Sequence, residues 1–373
     1  MTEFSSRVES VSISGIREVF EAAGGDAINL GLGQPDFPSP AHAREAAIEA
    51  IQSGDADAYT SNYGTESLRE AIREKHQRDN NLELSREQII ATAGGSEALH
   101  LALEAHVDAG QEVIHPDPGF VSYSALSKLA GGSPVGVGLR DDLTLSPAAV
   151  EEQITPNTAA IIISSPANPT GAVQPPSDVR EFARIADEHD VVLISDEVYE
   201  HIVFEGTHHS PMEFADSDNV VVVNAASKTY SMTGWRLGWV VASESRIDRM
   251  LRVHQYVQAC ASAPAQYAAE AALRGPQTPV EEMVSAFERR RNLLLDGLED
   301  MGLSVPTPRG AFYAMPAVPD GWVEAVLDRG VVVVPGAAFG EGGEGYARIS
   351  YATDVETIES ALAIMWEATR AVA

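Results

Sequence analysis

Short, continuous apolar runs separated by longer amphipathic stretches fill the first three quarters of the chain. Val113-Ile114-His115, Ala160 to Ile163, Val191 to Ile194 and Val220 to Val223 are short and bounded by polar residues, so each predicts a buried strand. Strands alternating with crossover helices predict an α/β fold built on a mostly parallel sheet. Three of the runs end where polar residues begin. Ligands of open α/β sheets collect beyond the carboxyl ends of the strands, so Ser164 to Asn168, Ser195 to Tyr199 and Asn224 to Lys228 are expected to converge on one crevice.

The pattern changes near residue 275. Thr278-Pro279-Val280-Glu281 reads as a capping box with proline at the first helical position, opening a helix to about Gly302. Beyond it lie Gly310 to Ala314, the run Val331 to Val334 before Pro335-Gly336, and Ala347 to Tyr351, which predict short strands followed by a closing helix. A second domain is expected to start there. The chain contains no internal repeat, low-complexity tract or linker, so the two domains should pack tightly.

Charge narrows the partners. The 55 acidic against 25 basic residues give a net charge of -30, a field that repels phosphate backbones and anionic lipid, so neither nucleic acid nor a membrane is an expected partner. Lysine has almost vanished, three residues against 22 arginines. Acidic excess with arginine in place of lysine predicts a surface built for concentrated salt, where the Debye length shrinks to roughly 3 Å. The single Cys260 excludes an intramolecular disulfide, and no Cys/His cluster has metal-site spacing. Charged Arg7, Glu9, Arg17 and Glu18 interrupt the start of the chain, and no apolar run approaches the roughly 18 residues of a membrane span, so a cytoplasmic protein is expected.

Lys228 stands out because arginine replaces lysine wherever a permanent cation suffices, yet arginine cannot lose its proton and form an imine. Suppose such a lysine holds an aldehyde cofactor. Asp196 then suits a pyridine nitrogen, keeping it protonated so that the ring takes up electrons; it equally suits a helix N-cap. Tyr199 lies about one helical turn on and, like Asn168, can meet the phenolic oxygen, although the prolines and glycine around Asn168 also read as a plain turn. Gly94-Gly95-Ser96-Glu97 opens an amphipathic helix through Leu99, Leu101 and Leu103, either a phosphate cradle or a tight turn. Arg236 offers a fork to the same phosphate or a surface ion pair, and Phe120 either stacks on the ring or packs in the core.

Taken in order, these segments resemble a fold-type I, pyridoxal-phosphate-dependent aminotransferase of class I/II, closest to the aspartate aminotransferase branch of archaea and thermophilic bacteria. The resemblance runs through Ser14 to Glu18, Gly33 to Phe37, Tyr59 to Gly64, Leu68 to Ala71, Gly94 to Leu99, Asn168 to Gly171, Ser195 to Tyr199, Ser227-Lys228, Gly234 to Arg236 and Arg348 to Ser350. It implies a seven-stranded large domain, residues 41–274, with a small α/β domain formed by 1–40 and 275–373. It implies that Lys228 binds pyridoxal 5'-phosphate, Asp196 pairs its ring nitrogen, and Asn168 and Tyr199 hold its phenolic oxygen. Gly95, Ser96, Glu97, Ser227 and Arg236 would surround the phosphate, with Tyr59 reaching it from a partner subunit and Phe120 stacking on the ring. Arg348 would bind the substrate α-carboxylate beside the Gly33 backbone, in an active site shared across a homodimer.

An amino group would pass from an L-amino acid to a 2-oxo acid by a ping-pong mechanism, in a haloarchaeal cytoplasm. The donor stays open between aspartate, alanine, aromatic and other amino acids, because no arginine here matches the partner-subunit arginine with which the family's mammalian and enteric branch reads a distal carboxylate. The segment from Met315 to Val331 is also short for the family. A carbon-sulfur β-lyase would use the same Lys228 and Asp196. A pyridoxal-phosphate-binding regulator would need a DNA-reading domain ahead of the fold, and a nicotinamide dehydrogenase would need Gly-x-Gly-x-x-Gly after its first strand.

Overall fold

The computed structural model describes residues 4–13, 15 and 27–372. The Ser14 to Glu18 segment therefore lies, apart from Gly15, outside the described residues. A two-residue strand, β1 (Ile28–Asn29), precedes a seven-stranded sheet of β2 (Ile89–Thr92), β3 (Glu112–Asp117), β4 (Ser133–Gly138), β5 (Thr158–Ser164), β6 (Val192–Asp196), β7 (Val220–Ala225) and β8 (Gly238–Val241). The strand order is β2-β8-β7-β6-β5-β3-β4, and only β8 runs antiparallel to its neighbours.

Alternation along each strand divides the core into two layers, as the period of two requires. Val220 and Val222 face one layer with Ile161, Ile163 and Leu193; Val221 and Val223 face the other with Ala160, Ile162 and Ile194. Helices Glu66–Asn80 and Pro176–His189 cover the first layer, and Gly95–His106 and Glu244–Val257 cover the second. Burial on both faces explains why these strands read as unbroken apolar runs.

A further core gathers β9 (Tyr313–Ala314), β10 (Val331–Val332), β11 (Val334–Pro335), β12 (Ala347–Ser350) and the closing helix Val355–Val372. Strand β1 pairs with β10, tying residues 28–29 to this part of the chain. The run Val331 to Val334 is not one strand: β10 pairs with β1, whereas β11 pairs antiparallel with β12 and sets Val334 opposite Arg348. The helix Thr278–Asp300 bridges both bodies, with Val280 in the first core and Phe287, Leu294 and Leu298 in the further one.

The expected capping box is absent. Thr278 is already helical, and Gln277 precedes it in a right-handed helical conformation instead of the extended one such a cap requires. The Gln277 amide donates to the carbonyls of Ala272 and Gly275, so the entry is fastened to the preceding helix. Among the described residues, no helix is long and apolar enough to cross a membrane.

Candidate active site

Strands β5, β6 and β7 are neighbours, and the segments leaving their carboxyl ends line one cavity of about 240 Å³. Ser164, Asn168, Asp196, Tyr199, Ser227 and Lys228 all face it. Gly95 and Ser96 join them from the first turn of the helix Gly95–His106, with Phe120, Gly33, Arg236 and, from β12, Arg348. The crevice expected from the strand ends is thus a single space.

Lys228 donates through Nζ to the Gly33 carbonyl at 2.7 Å, and Nζ lies 6.0 Å from the Tyr199 ring centre. Desolvation in the cavity, followed by the nearby charges of Arg348 and Arg236, lowers the amine to about 8. Asp196 is buried, and burial raises its carboxyl to about 6 against the opposing hydrogen bond from Tyr123. Burial and Tyr313 hold the Tyr199 phenol well above its usual range, so it stays protonated; its oxygen lies 2.9 Å from the Tyr313 hydroxyl.

Arg348 is fully buried between the rings of Tyr313 and Phe339, each 4.6 Å from the guanidinium carbon. One Nη donates to Asn168 Oδ1 at 2.9 Å and the other to the Gly31 carbonyl, while Nε has no partner among the described residues. A buried guanidinium edge with a free donor is suited to a carboxylate. Gly33 makes room for Tyr313, because an added Cβ would lie 2.1 Å from the Tyr313 hydroxyl oxygen and force that side chain to shift.

At the other end of the cavity, Gly94 takes φ +85° and the Arg236 guanidinium lies against it, 2.7 Å from where a Cβ would sit. Gly238 on β8 lets the strand approach the Gly94–Gly95 backbone, which any side chain would block. Arg236 is hydrogen bonded to the Thr233 and Ala93 carbonyls and, among the described residues, is paired with no carboxylate, so its charge is available to an anion. Amine, buried carboxylate, phenol, helix N-terminus and free guanidinium form a donor set that fits pyridoxal phosphate in its aldehyde, ring and phosphate parts.

Two of the expected residues do not line this cavity. Glu97 does not line the cavity; its carboxylate accepts the Ala93 amide and contacts His254 Nδ1 at 2.8 Å. A carboxylate beside a phosphate would be repelled, whereas the amides at the helix start attract it. Tyr59 is 89% exposed and outside the cavity of its own chain.

Tyr123 was not legible as a site residue. It lies three residues after Phe120, packed edge-on against it, and reads as another core aromatic; yet its hydroxyl donates to Asp196 Oδ2 at 2.8 Å. Tyr123→Phe removes a charge-assisted bond worth about 1.5–3 kcal/mol. Asp196 is already raised, and losing a lowering contact raises it further. The acid limb of cofactor binding should therefore move up by about one pH unit, followed by titrating the apoprotein at stepped pH. An unmoved limb would show that Tyr123 does not support the Asp196 charge.

The family model for aminotransferase class I and II matches residues 25–364. A probable aspartate aminotransferase of Methanocaldococcus jannaschii is 43% identical over 97% of this chain and 99% of its own. An aromatic-amino-acid aminotransferase of Thermococcus litoralis is 41% identical over 96% of each. Among solved structures, the aspartate aminotransferase of Thermus thermophilus with maleate superposes with a TM-score of 0.94 at 36% identity, covering 99% of this chain and 100% of that one. With the cavity geometry, these matches show that the chain belongs to the class I and II aminotransferases and is a pyridoxal-phosphate-dependent aminotransferase.

Proposed function

We propose that the chain moves the amino group of an L-amino acid, of aspartate type or alternatively alanine or an aromatic amino acid, to a 2-oxo acid such as 2-oxoglutarate. The observation that carries the reading is one cavity holding the Lys228 amine, the buried Asp196 carboxylate and the Arg348 guanidinium with its unpartnered Nε. When bound, pyridoxal phosphate supplies an aldehyde that joins amines covalently and a ring that takes up the electron pair released at Cα. Arg348 grips the α-carboxylate and fixes which Cα bond faces Lys228. Lys228 Nζ, neutral in a large fraction near pH 8, takes the Cα proton and returns it. Asp196 would keep a proton on the cofactor's ring nitrogen, Asn168 and Tyr199 would offer donors to its phenolic oxygen, Phe120 would pack on its ring, and Gly95, Ser96, Ser227 and Arg236 would hold its phosphate.

Residues 41–274 form the large domain in this reading, with 1–40 and 275–373 as the small one. The active unit is a homodimer in which Tyr59 completes the partner's phosphate site. Its exposure, with that of Tyr256 (87%), Val257 (58%) and Ile51 (57%), leaves apolar side chains available for contact with a second copy. The net charge of -30 supports a salt-rich cytoplasm.

Absorbance of the purified protein in molar KCl, recorded with single amino acids and no acceptor, tests the reading. A visible band that shifts with aspartate or glutamate and returns with 2-oxoglutarate is expected, and the amplitudes rank the donors. Release of pyruvate and sulfide from cysteine without an acceptor would point to a β-lyase. No band after adding pyridoxal phosphate would refute Lys228 as the attachment point.

A further inference from the structure

Behind the cavity lies a buried polar cluster that the transfer chemistry does not use. Lys75, on the helix Glu66–Asn80, is 1% exposed and ion-paired with Glu200, whose side chain is 3% exposed. The Lys75 ammonium also donates to Asn80 Oδ1 at 2.7 Å, and Asn80 Nδ2 donates to Glu200 Oε2 at 3.0 Å. Asn224 Nδ2 donates to Glu200 Oε1 at 2.6 Å, and its own Oδ1 accepts the Ala225 amide at 2.7 Å.

The chain positions of these groups give the cluster its meaning. Glu200 follows Tyr199 directly and Asp196 by four residues; Asn224 precedes Lys228 by four, near the end of β7. One buried carboxylate therefore clamps together the segment carrying Asp196 and Tyr199 and the segment carrying Lys228, and fastens both to a helix. Burial alone would raise the Glu200 carboxyl, but Lys75, with His201 and His208 behind it, holds it well below the usual range, so the clamp stays ionised. Glu197, Glu200 and His208 do offer ligand atoms within 4.8 Å of one another. The Lys75 ammonium already pairs with Glu200, while Ser210 and His208 engage Glu197, so the cluster reads as a clamp with its own cation. In a chain with only three lysines, retention of one here fits a compact charge reaching two acceptors in a dry site, which a planar guanidinium replaces poorly.

We propose that Lys75 and Glu200 form a positioning pair that sets the spacing between Asp196, Tyr199 and Lys228, and so the fit of the pyridoxal phosphate ring. The inference rests on the reading of Lys228 as the cofactor's attachment point. The test compares Lys75→Met, Glu200→Gln and the double variant by melting temperature, pyridoxal phosphate Kd, and kcat and KM for the amino donor.

Each single variant leaves a buried charge unpaired and should melt lower, whereas the double variant regains much of the melting temperature because neither charge remains. Affinity should not recover with it: the double variant is expected to bind pyridoxal phosphate about 10-fold to 100-fold more weakly, with kcat reduced and donor KM nearly unchanged. A double variant with wild-type Kd and kcat would overturn the positioning role and leave a stability element. Should the charge variants yield no folded protein, Asn224→Ala decides, since it leaves the Lys75–Glu200 pair in place and cuts the link from Glu200 to the Lys228 strand, together with the local bond to the Ala225 amide. It should weaken cofactor binding about tenfold, and an unchanged Kd overturns the inference. A wild-type protein lacking the visible band would overturn the Lys228 reading itself, whereas a wild-type band with unaffected variants overturns only the pair.

Discussion

Lys228→Arg is expected to lower amino transfer by at least about 10⁴-fold and to leave no visible absorbance from protein-attached cofactor, because it removes covalent attachment and proton transfer together. Arginine keeps the positive charge and much of the length, so loss of activity in this variant isolates the ability to deprotonate. The wild-type amine has that ability: desolvation, then Arg348 and Arg236, lower it to about 8. The direction of the pH dependence follows from which form reacts. The neutral amine attacks the aldehyde and accumulates as pH rises toward 8, so capture of pyridoxal phosphate by the apoprotein should accelerate about tenfold per pH unit below that value and level off above it. Stopped-flow absorbance between about pH 6 and pH 9 measures this directly. A flat profile, or an arginine variant that still turns over, would remove Lys228 from the chemistry.

What could be read from the sequence follows what each signal physically reports. Strands β5, β6 and β7 are buried on both faces, so their unbroken Ile and Val runs announce them, and their carboxyl ends fix where Asn168, Asp196 and Lys228 gather. Strand β4, at the sheet edge, reads Ser133-Pro-Val-Gly-Val-Gly138, with a proline and glycines that an edge tolerates and a central strand does not; the same residues hide it from pattern reading. Strand β8 is four residues long and follows directly on the site loop. The Gly94 to Glu97 segment was legible as a helix start, but the spacing of residues cannot say which way the Glu97 carboxylate turns; the Ala93 amide and His254 decide that through tertiary contact. Tyr123 and Glu200 were hidden for the converse reason. A buried phenol or carboxylate acquires its role from a partner brought from elsewhere in the chain, 73 residues away for Tyr123 and Asp196 and 120 for Asn80 and Glu200.

Asp196→Asn separates attachment from electron withdrawal, and its effects should run in opposite directions for rate and stability. The amide keeps the shape and can still accept from Tyr123, but it carries no charge to hold a proton on the ring nitrogen. Amino transfer should fall by about 10²–10³-fold, the loss typical of removing one preorganised electrostatic partner. Donor KM should stay within about threefold, since Arg348 still grips the carboxylate, and the Lys228-attached band should persist, in contrast to the arginine variant at 228. In the apoprotein the Asp196 carboxyl is raised from its ordinary value to about 6, with burial as the main cause. A folded-state value above the unfolded one gives stability that is fully present below the unfolded value and is lost as pH rises through about 6. The wild-type apoprotein should thus weaken between about pH 4 and pH 6, whereas the asparagine variant lacks this dependence and gains about 2–3 kcal/mol relative to wild type at neutral pH. Melting of both apoproteins at acid and neutral pH reads the difference. An asparagine variant that is slower and also less stable at neutral pH would mean that Asp196 is an ordinary structural carboxylate; one that is slower and more stable would show a charge kept buried at the expense of the fold because the reaction needs it.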